Sequence, residues 1–389
     1  MSAVSAGRAI FTIGPEAPFL PTLAAALLDG TLFPDWKREG PFWLSDITVF
    51  LPTRRARVAL ADALVAAMGD APLLLPDIRA LGGDDPEAEP FLPPFAEPPP
   101  PPAMPRTRRR LMLARLVEGW IASQEAAPFS APGLGGFTGA PNPGEVLALA
   151  DSLATLIDDF TIAGKSVADL GGIAEEDLPE RWQDALDFVR FVFSAWPDVL
   201  AEEGMIEGTE RGGILLRRQA AALPQIYGDR PVVVAGSTGS IPATAELIAA
   251  IADLPRGAVV LPGLDRGLDP AGFAEHRNPH GHPQYGLMRL VSRLGVLPEA
   301  VEPLGADGSA RAAAIRQALA LADDTAHWDA DYRALAPTLP HAFADVDLLV
   351  ARNAEEEARA VALAVRDALA RETPQSVAVV TPDQGLARR

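Results

Sequence analysis

Residues 8–21 read as a β-run, a glycine and the opening of a helix, which is the setting of a phosphate-binding loop. Such a loop follows G-x-x-x-x-G-K-[ST]. Its backbone N–H groups cradle the anion, its lysine meets the β/γ-phosphates and its hydroxyl holds Mg²⁺. Gly14 fits the first position, but the positions for Gly, Lys and Ser/Thr hold Phe19, Leu20 and Pro21. The cation and the hydroxyl are missing, and proline withdraws an N–H from the anion. The stretch is either a degenerate ATP loop or an ordinary glycine turn after a strand. A second place fails in the same way. Val232–Ala235 is an apolar run of the kind that ends in Asp-Glu in P-loop ATPases, and here the acidic positions hold Ala235 and Gly236. With no carboxylate for Mg²⁺ or for water, the second motif of nucleotide hydrolysis is absent too.

Other groups of residues carry weaker signals. Ser237-Thr238-Gly239-Ser240 lies between a strand and a helix, where hydroxyls and N–H groups either bind a phosphate or cap the helix. Leu51–Arg57 puts the Thr53 hydroxyl and the guanidiniums of Arg54 and Arg55, with Arg57 behind them, at a strand end and helix start. That arrangement suits a phosphodiester backbone, and it equally suits a solvated helix start or intramolecular ion pairs. Arg106–Arg110 is a second basic cluster, expected to be a solvated helix N-terminus. Gly164-Lys165-Ser166 has the right triplet for an ATP loop, but Asp159 stands where the first glycine belongs and a helix precedes it, so it reads as a helix C-terminus. His276, His280 and His282, with Asp265, Asp269 and Glu275 nearby, match no standard metal motif, and no metal ligands are assigned.

The elements that would position these residues alternate. Short β-rich runs at Asp46–Pro52, Val232–Ala235, Ala258–Leu261, Val346–Val350 and Ser376–Thr381 are interleaved with helical patterns at Thr22–Leu28, Thr53–Met68, Pro242–Leu254, Tyr285–Leu294 and Ala354–Arg371. This predicts an α/β fold with a P-loop-like parallel sheet. Thr107–Gln219 is helix after helix. Val146–Phe160 and Arg181–Trp196 show one-sided apolar spacing, and a Gly/Pro stretch at Gly133–Gly144 interrupts them. A large all-α insertion is expected there. Pro98–Pro102 favours extended polyproline II and reads as a spacer. The expected organisation is residues 1–97 as the first part of the α/β domain, 98–105 as a Pro-rich connection and 106–224 as the helical insertion. Residues 225–340 return to the α/β domain, and 345–389 begin a second one. The chain stops at Gly385–Arg389 inside the first turn of a helix, which reads as a truncation.

Composition narrows the function classes. The chain has 389 residues, 48% of them hydrophobic, no cysteine and a net charge of −19. Cysteine nucleophiles, thiolate zinc sites and iron–sulfur clusters are therefore excluded within it. No apolar run is long enough for a bilayer, and the first residues lack a signal-peptide pattern, so a cytoplasmic location without membrane contact is expected. The acidic balance means that any nucleic-acid contact must come from a local basic patch or from a partner.

Four blocks, in order and spacing, carry a resemblance. They are Phe50-Leu-Pro-Thr-Arg-Arg-Ala56, Val234-Ala-Gly-Ser-Thr-Gly-Ser-Ile-Pro-Ala-Thr-Ala-Glu246, Val260-Leu-Pro-Gly-Leu-Asp265 and His282-Pro-Gln-Tyr-Gly286. Over essentially its whole length the chain resembles the N-terminal part of the AddB family, the subunits of alphaproteobacterial-type AddAB helicase–nucleases that process double-strand breaks for recombinational repair. The resemblance implies a superfamily-1 helicase-like body with degenerate motor motifs. Gly14, Phe19, Leu20 and Pro21 would be the relic of the ATP loop, and Ala235-Gly236 the relic of the Mg²⁺ motif. Thr53, Arg54 and Arg55 would match the motif that contacts single-stranded DNA, and Ser237 and Thr238 are expected to bind DNA as well. The partner implied is an AddA-type helicase subunit that uses the ATP, and the ligands implied are single-stranded DNA and duplex ends. The family's Mg²⁺-dependent nuclease site, and in many members a cysteine-bound 4Fe–4S cluster, lie in a C-terminal region that this sequence does not contain. Catalytic residues and cofactors are therefore expected to be none in this chain. Two rival readings stay open: a divergent nucleotide hydrolase, and a protein-interaction scaffold without DNA contact.

Overall fold

The structure is a computed structural model that describes residues 8–69, 74–81, 98–123, 142–166, 180–274, 279–371 and 376–387. The Gly/Pro stretch expected at Gly133–Gly144 lies mostly outside these residues, as do His276 and Glu275.

The core is a six-stranded sheet in the order β3-β2-β4-β5-β1-β6, with every pairing parallel. Its strands are β1 (Ala9–Ile13), β2 (Thr48–Leu51), β3 (Asp77–Ala80), β4 (Val232–Ala235), β5 (Gly257–Pro262) and β6 (Glu302–Pro303). Side chains alternate between its faces, as a period of two requires. Phe11, Ile13, Val49, Leu51, Val233, Ala235, Ala258 and Val260 join one apolar cluster. Ile10, Phe50, Val232, Val234, Val259 and Leu261 join the other. Both faces are buried, so the central strands are continuous Val/Leu/Ile runs. The α/β class with a parallel sheet and a helical insertion is therefore the observed one.

Helices α1 (Phe19–Asp29) and α2 (Arg54–Met68) cover the first face through Leu23, Leu27, Leu60 and Leu64. The insertion supplies α3 (Arg106–Ser123), α4 (Pro143–Ala163), α5 (Glu180–Glu202) and α6 (Gly208–Tyr227). A separate apolar core of Leu113, Val117, Leu149, Leu153, Phe188, Val192 and Trp196 joins α3, α4 and α5. In contrast, α6 lies on the second face of the sheet through Leu216, Leu223 and Tyr227, together with α7 (Pro242–Ala252) and α8 (Tyr285–Leu294). Helix α4 starts at a capping box in which Asn142 and Glu145 exchange side-chain-to-backbone bonds. It ends at Gly164 in the left-handed conformation, so Gly164-Lys165-Ser166 is a helix C-terminus. The prolines at 98–102 run without regular structure and are fastened to the body. The Pro102 carbonyl accepts from Ile206 N, and the Pro98 carbonyl accepts from Arg218.

A short α9 (Ala310–Ala318) completes the first of two compact units, which ends at Ala326; the second begins at His327. The second unit holds α10 (Trp328–Leu335), α11 (Leu339–Ala342), α12 (Ala354–Leu369) and α13 (Gln384–Ala387). Its two expected strands are not formed. Residues 346–350 and 376–381 have no regular structure and no strand partner among the described residues, and Leu348, Val350 and Val380 are 90%, 85% and 94% exposed. β-rich composition marks a segment that suits a pleated surface, but a strand exists only where a neighbour takes up its backbone bonds. Conversely, β3 was not expected. The apolar run at Leu73–Pro76 precedes it, and its own sequence, Asp-Ile-Arg-Ala, has only the edge position to recommend it.

Candidate functional site

Ligands of open parallel sheets bind at the carboxyl ends of the strands. Here the loops after β1, β2 and β4 meet at that edge, because β2 and β4 are neighbours and only β5 separates β4 from β1. Gly236 follows β4 with φ +76°, a conformation that favours glycine. A Cβ placed on it would lie 3.3 Å from Phe19 Cε1 and 3.6 Å from Pro52 Cδ. The residue at the invariant-glycine position of an ATP loop thus lays its ring on the residue at the second acidic position. The benzyl group closes the space over Gly236.

The turn that follows β1 is closed as well. A Cβ on Gly14 would lie 2.7 Å from Glu16 Oε2, 3.2 Å from the Ala306 carbonyl oxygen and 3.4 Å from Asp307 Oδ1. Glu16 Oε1 accepts from Ser309 N at 3.1 Å. Burial pushes the Glu16 carboxyl up, but hydrogen bonds from Ser309 and from its own backbone outweigh this and hold it below the ordinary carboxylate range. A carboxylate therefore occupies the turn where an incoming phosphate would need N–H groups, with Asp307 beside it. The nearby cations are already paired, Arg266 with Asp307 and Arg316 with Asp265. Sequence reading missed Glu16, and the only signal was an acidic residue inside the loop itself.

Thr53, Arg54 and Arg55 stand one loop away. Thr53 is the N-cap of α2, and its hydroxyl accepts from Ala56 N at 3.1 Å. Arg54, Arg55 and Arg57 are exposed around the start of the helix. Arg55 and Arg57 make no ion pair among the described residues. The helix dipole and the guanidiniums add at this end, which makes it a ready anion site. Pro52 against Gly236 sets this cationic turn beside Ser237 and Thr238.

The expected capping by Ser237–Ser240 does not occur. Helix α7 has Ile241 at its N-cap with no side-chain cap bond, and the Ser237 hydroxyl instead accepts from Gly239 N. The reason is distance along the chain: Pro242 at the first helical position leaves the hydroxyls of residues 237 and 238 too far upstream to reach the helix N–H groups. Thr238 and Ser240 are exposed.

The second basic cluster is an exposed helix start at Arg106, Arg108 and Arg110, as expected, and only Arg109 is drawn inward. Arg108 pairs with Glu203 and Arg110 with Asp151. Arg109, 13% exposed, meets Asp158 at 2.9 Å and Glu207 at 3.1 Å. Glu207 also accepts from Trp196 Nε1, and Thr209 bonds Asp158. Burial, the largest influence, pushes the Glu207 carboxyl up against the opposing pull of Arg109 and Trp196. Arg109 and Arg110 join α3 to α4, and Arg109 also reaches Glu207 before the start of α6. His280 and His282 go to different rings, Tyr285 at 4.7 Å and Phe273 at 5.0 Å. Among the described residues no three His, Asp or Glu side chains converge in a way that could hold a metal ion.

No family model and no curated protein matches the chain.

Proposed function

We propose that the chain is a non-catalytic, helicase-like scaffold that guides single-stranded DNA, as the N-terminal part of an AddB-type subunit of a helicase–nuclease for double-strand break repair. One observation carries the reading: the ring of Phe19 packs over Gly236, while the adjoining turn presents Thr53, Arg54, Arg55 and Arg57 to solvent. A site that has given up nucleotide has kept cations next to it. In this reading an AddA-type partner hydrolyses ATP, needs Mg²⁺ for it, and supplies most of the DNA grip, in keeping with a net charge of −19 here. The work is cytoplasmic, and no helix among the described residues is long and apolar enough to cross a membrane.

The test is single-strand binding by Arg54→Ala/Arg55→Ala in complex with the partner, titrated over a range of salt. The double variant is expected to bind several-fold more weakly, and its salt slope to fall by roughly 0.7 for each phosphate that is no longer neutralised. Unchanged affinity and slope would remove the DNA role and leave a protein-interaction scaffold. That second reading draws on the apolar groove of the second unit, lined by Val361, Val365, Leu369, Val379 and Leu386.

A further inference from the structure

We propose that residues 305–321 form a releasable strap over the turn after β1, held shut by charge rather than by apolar packing. The inference goes beyond the DNA reading and does not depend on it. The first support is the course of the chain. Leu304 is 6% exposed and belongs to the apolar cluster of α1 and α2, and its N–H bonds the Thr12 carbonyl at 2.8 Å. From this fixed point residues 305–308 cross the turn, bringing the Ala306 carbonyl and the Asp307 carboxylate onto Gly14. Helix α9 follows, and the chain then runs on to the second unit at His327. Gly305 and Gly308 both have φ +80°, so the crossing begins and ends at residues that tolerate large backbone changes.

The second is what the strap lacks. No residue of α9 is buried, and Ile315 and Leu319 are exposed. None of its side chains joins the two apolar clusters of the sheet. By contrast α7 buries Leu247, Ile248 and Ile251. An apolar contact is made at the far end of the strap by Leu321, whose Cδ1 would lie 2.8 Å from a Cβ on Gly272. An element with few buried apolar contacts opens locally, at a cost well below that of global unfolding.

The third is what holds it. Arg316 Nε donates to both carboxylate oxygens of Asp265 at 2.7 Å, and its Nη2 lies 2.6 Å from Oδ1. Arg266 Nη1 donates to Asp307 Oδ2 at 3.0 Å. Glu16 Oε1 accepts from the N–H of Ser309, the N-cap residue of α9. These three latches tie the strap to the loops after β1 and β5, and each involves a charged group. Such latches weaken as salt screens them, which an apolar seat does not. When the strap lifts, the turn at Gly14 loses its cover, so the closure of that turn is conditional.

The experiment is amide hydrogen exchange on the 389-residue chain between about 0.1 M and about 1 M sodium chloride, over which the Debye length falls from about 10 Å to about 3 Å. The amides of Ser309, Ala313 and Leu319 are expected to share one level of protection that drops as salt rises, while Leu304 and the strands β4 and β5 keep theirs. Arg316→Gln is expected to lower the shared protection about fivefold at low salt and to reduce its salt dependence. Arg316→Lys, which keeps the charge, is expected to lie between. Strap protection equal to that of β4 and β5, or unmoved by salt or by Arg316→Gln, would overturn the proposal. Protection graded inward from the ends of α9 would mean a fixed helix that frays, and would overturn it too. No DNA is present in the measurement, so either result leaves the reading above standing.

Discussion

Glu16 and Glu207 are two carboxyls that the fold pushes in opposite directions, and each leaves its own mark on stability. Glu207 is held up by burial beside Arg109, Trp196 and Asp158. Its unfolded form therefore releases the proton first, and stability falls as pH rises from the ordinary carboxylate range through the raised folded value. Glu16 is held down by Ser309. Its contribution is present above the ordinary range and is lost as pH falls through the lowered folded value. Compared with the parent by urea unfolding across pH, Glu207→Gln should gain relative stability as pH rises, whereas Glu16→Gln should lose it. Curves that run parallel to the parent at all pH values would show that neither shift exists. Arg109 makes the same point about position: its partners Asp158 and Glu207 lie 49 and 98 residues away. A basic run on a helix start looks solvated until those partners are folded against it.

At the scale of elements, the second unit presents exposed, largely apolar segments at 346–350 and 376–380 with no ladder partner among the described residues. Unpaired edges of this kind template pairing with other chains. Replacing Leu348 and Val350 by Lys is expected to lower concentration-dependent self-association in sedimentation experiments. The unfolding midpoint should stay nearly unchanged, since exposed substitutions shift stability by about 0.5 kcal/mol or less. Undiminished association would place the sticky surface elsewhere. These segments also show what a sequence can tell. β4, β5, α7 and α8 were legible because their apolar pattern is complete within the segment. β3 and β6 were not, because a four-residue edge strand and the two-residue Glu302–Pro303 owe their state to neighbours. At the candidate site the failed loop residues could be read from Gly14, Phe19 and Gly236. The contact between Phe19 and Gly236 and the closure by Glu16 could not, because they depend on loops separated by more than 200 residues of chain.

Across the whole molecule, the sheet edge divides into a closed half and an open half. The closed half holds Glu16, Asp307, Phe19 and Gly236, and in the reading proposed above it takes no nucleotide. Ligands that bind only the folded state raise its melting temperature by mass action. Millimolar ATP with Mg²⁺ is therefore expected to leave the melting temperature unchanged, and a clear upward shift, abolished on altering Gly14, would revive the nucleotide-hydrolase reading. The open half carries Thr53, Arg54 and Arg55, all exposed, on a body whose net charge is −19.

The seat of Phe19 also bears on any attempt to rebuild a nucleotide site by mutation. Phe19→Gly alone, the residue that the loop pattern asks for, would remove the ring that packs against Pro52 and Gly236 and leave a void there. Gly236→Glu alone would drive a side chain into a ring 3.3 Å away, from a backbone conformation that side chains rarely adopt. Each single change is worse than the starting sequence, and only the combination could be better. The landscape around this pair has a valley in it, and a walk that accepts one improving step at a time does not cross it.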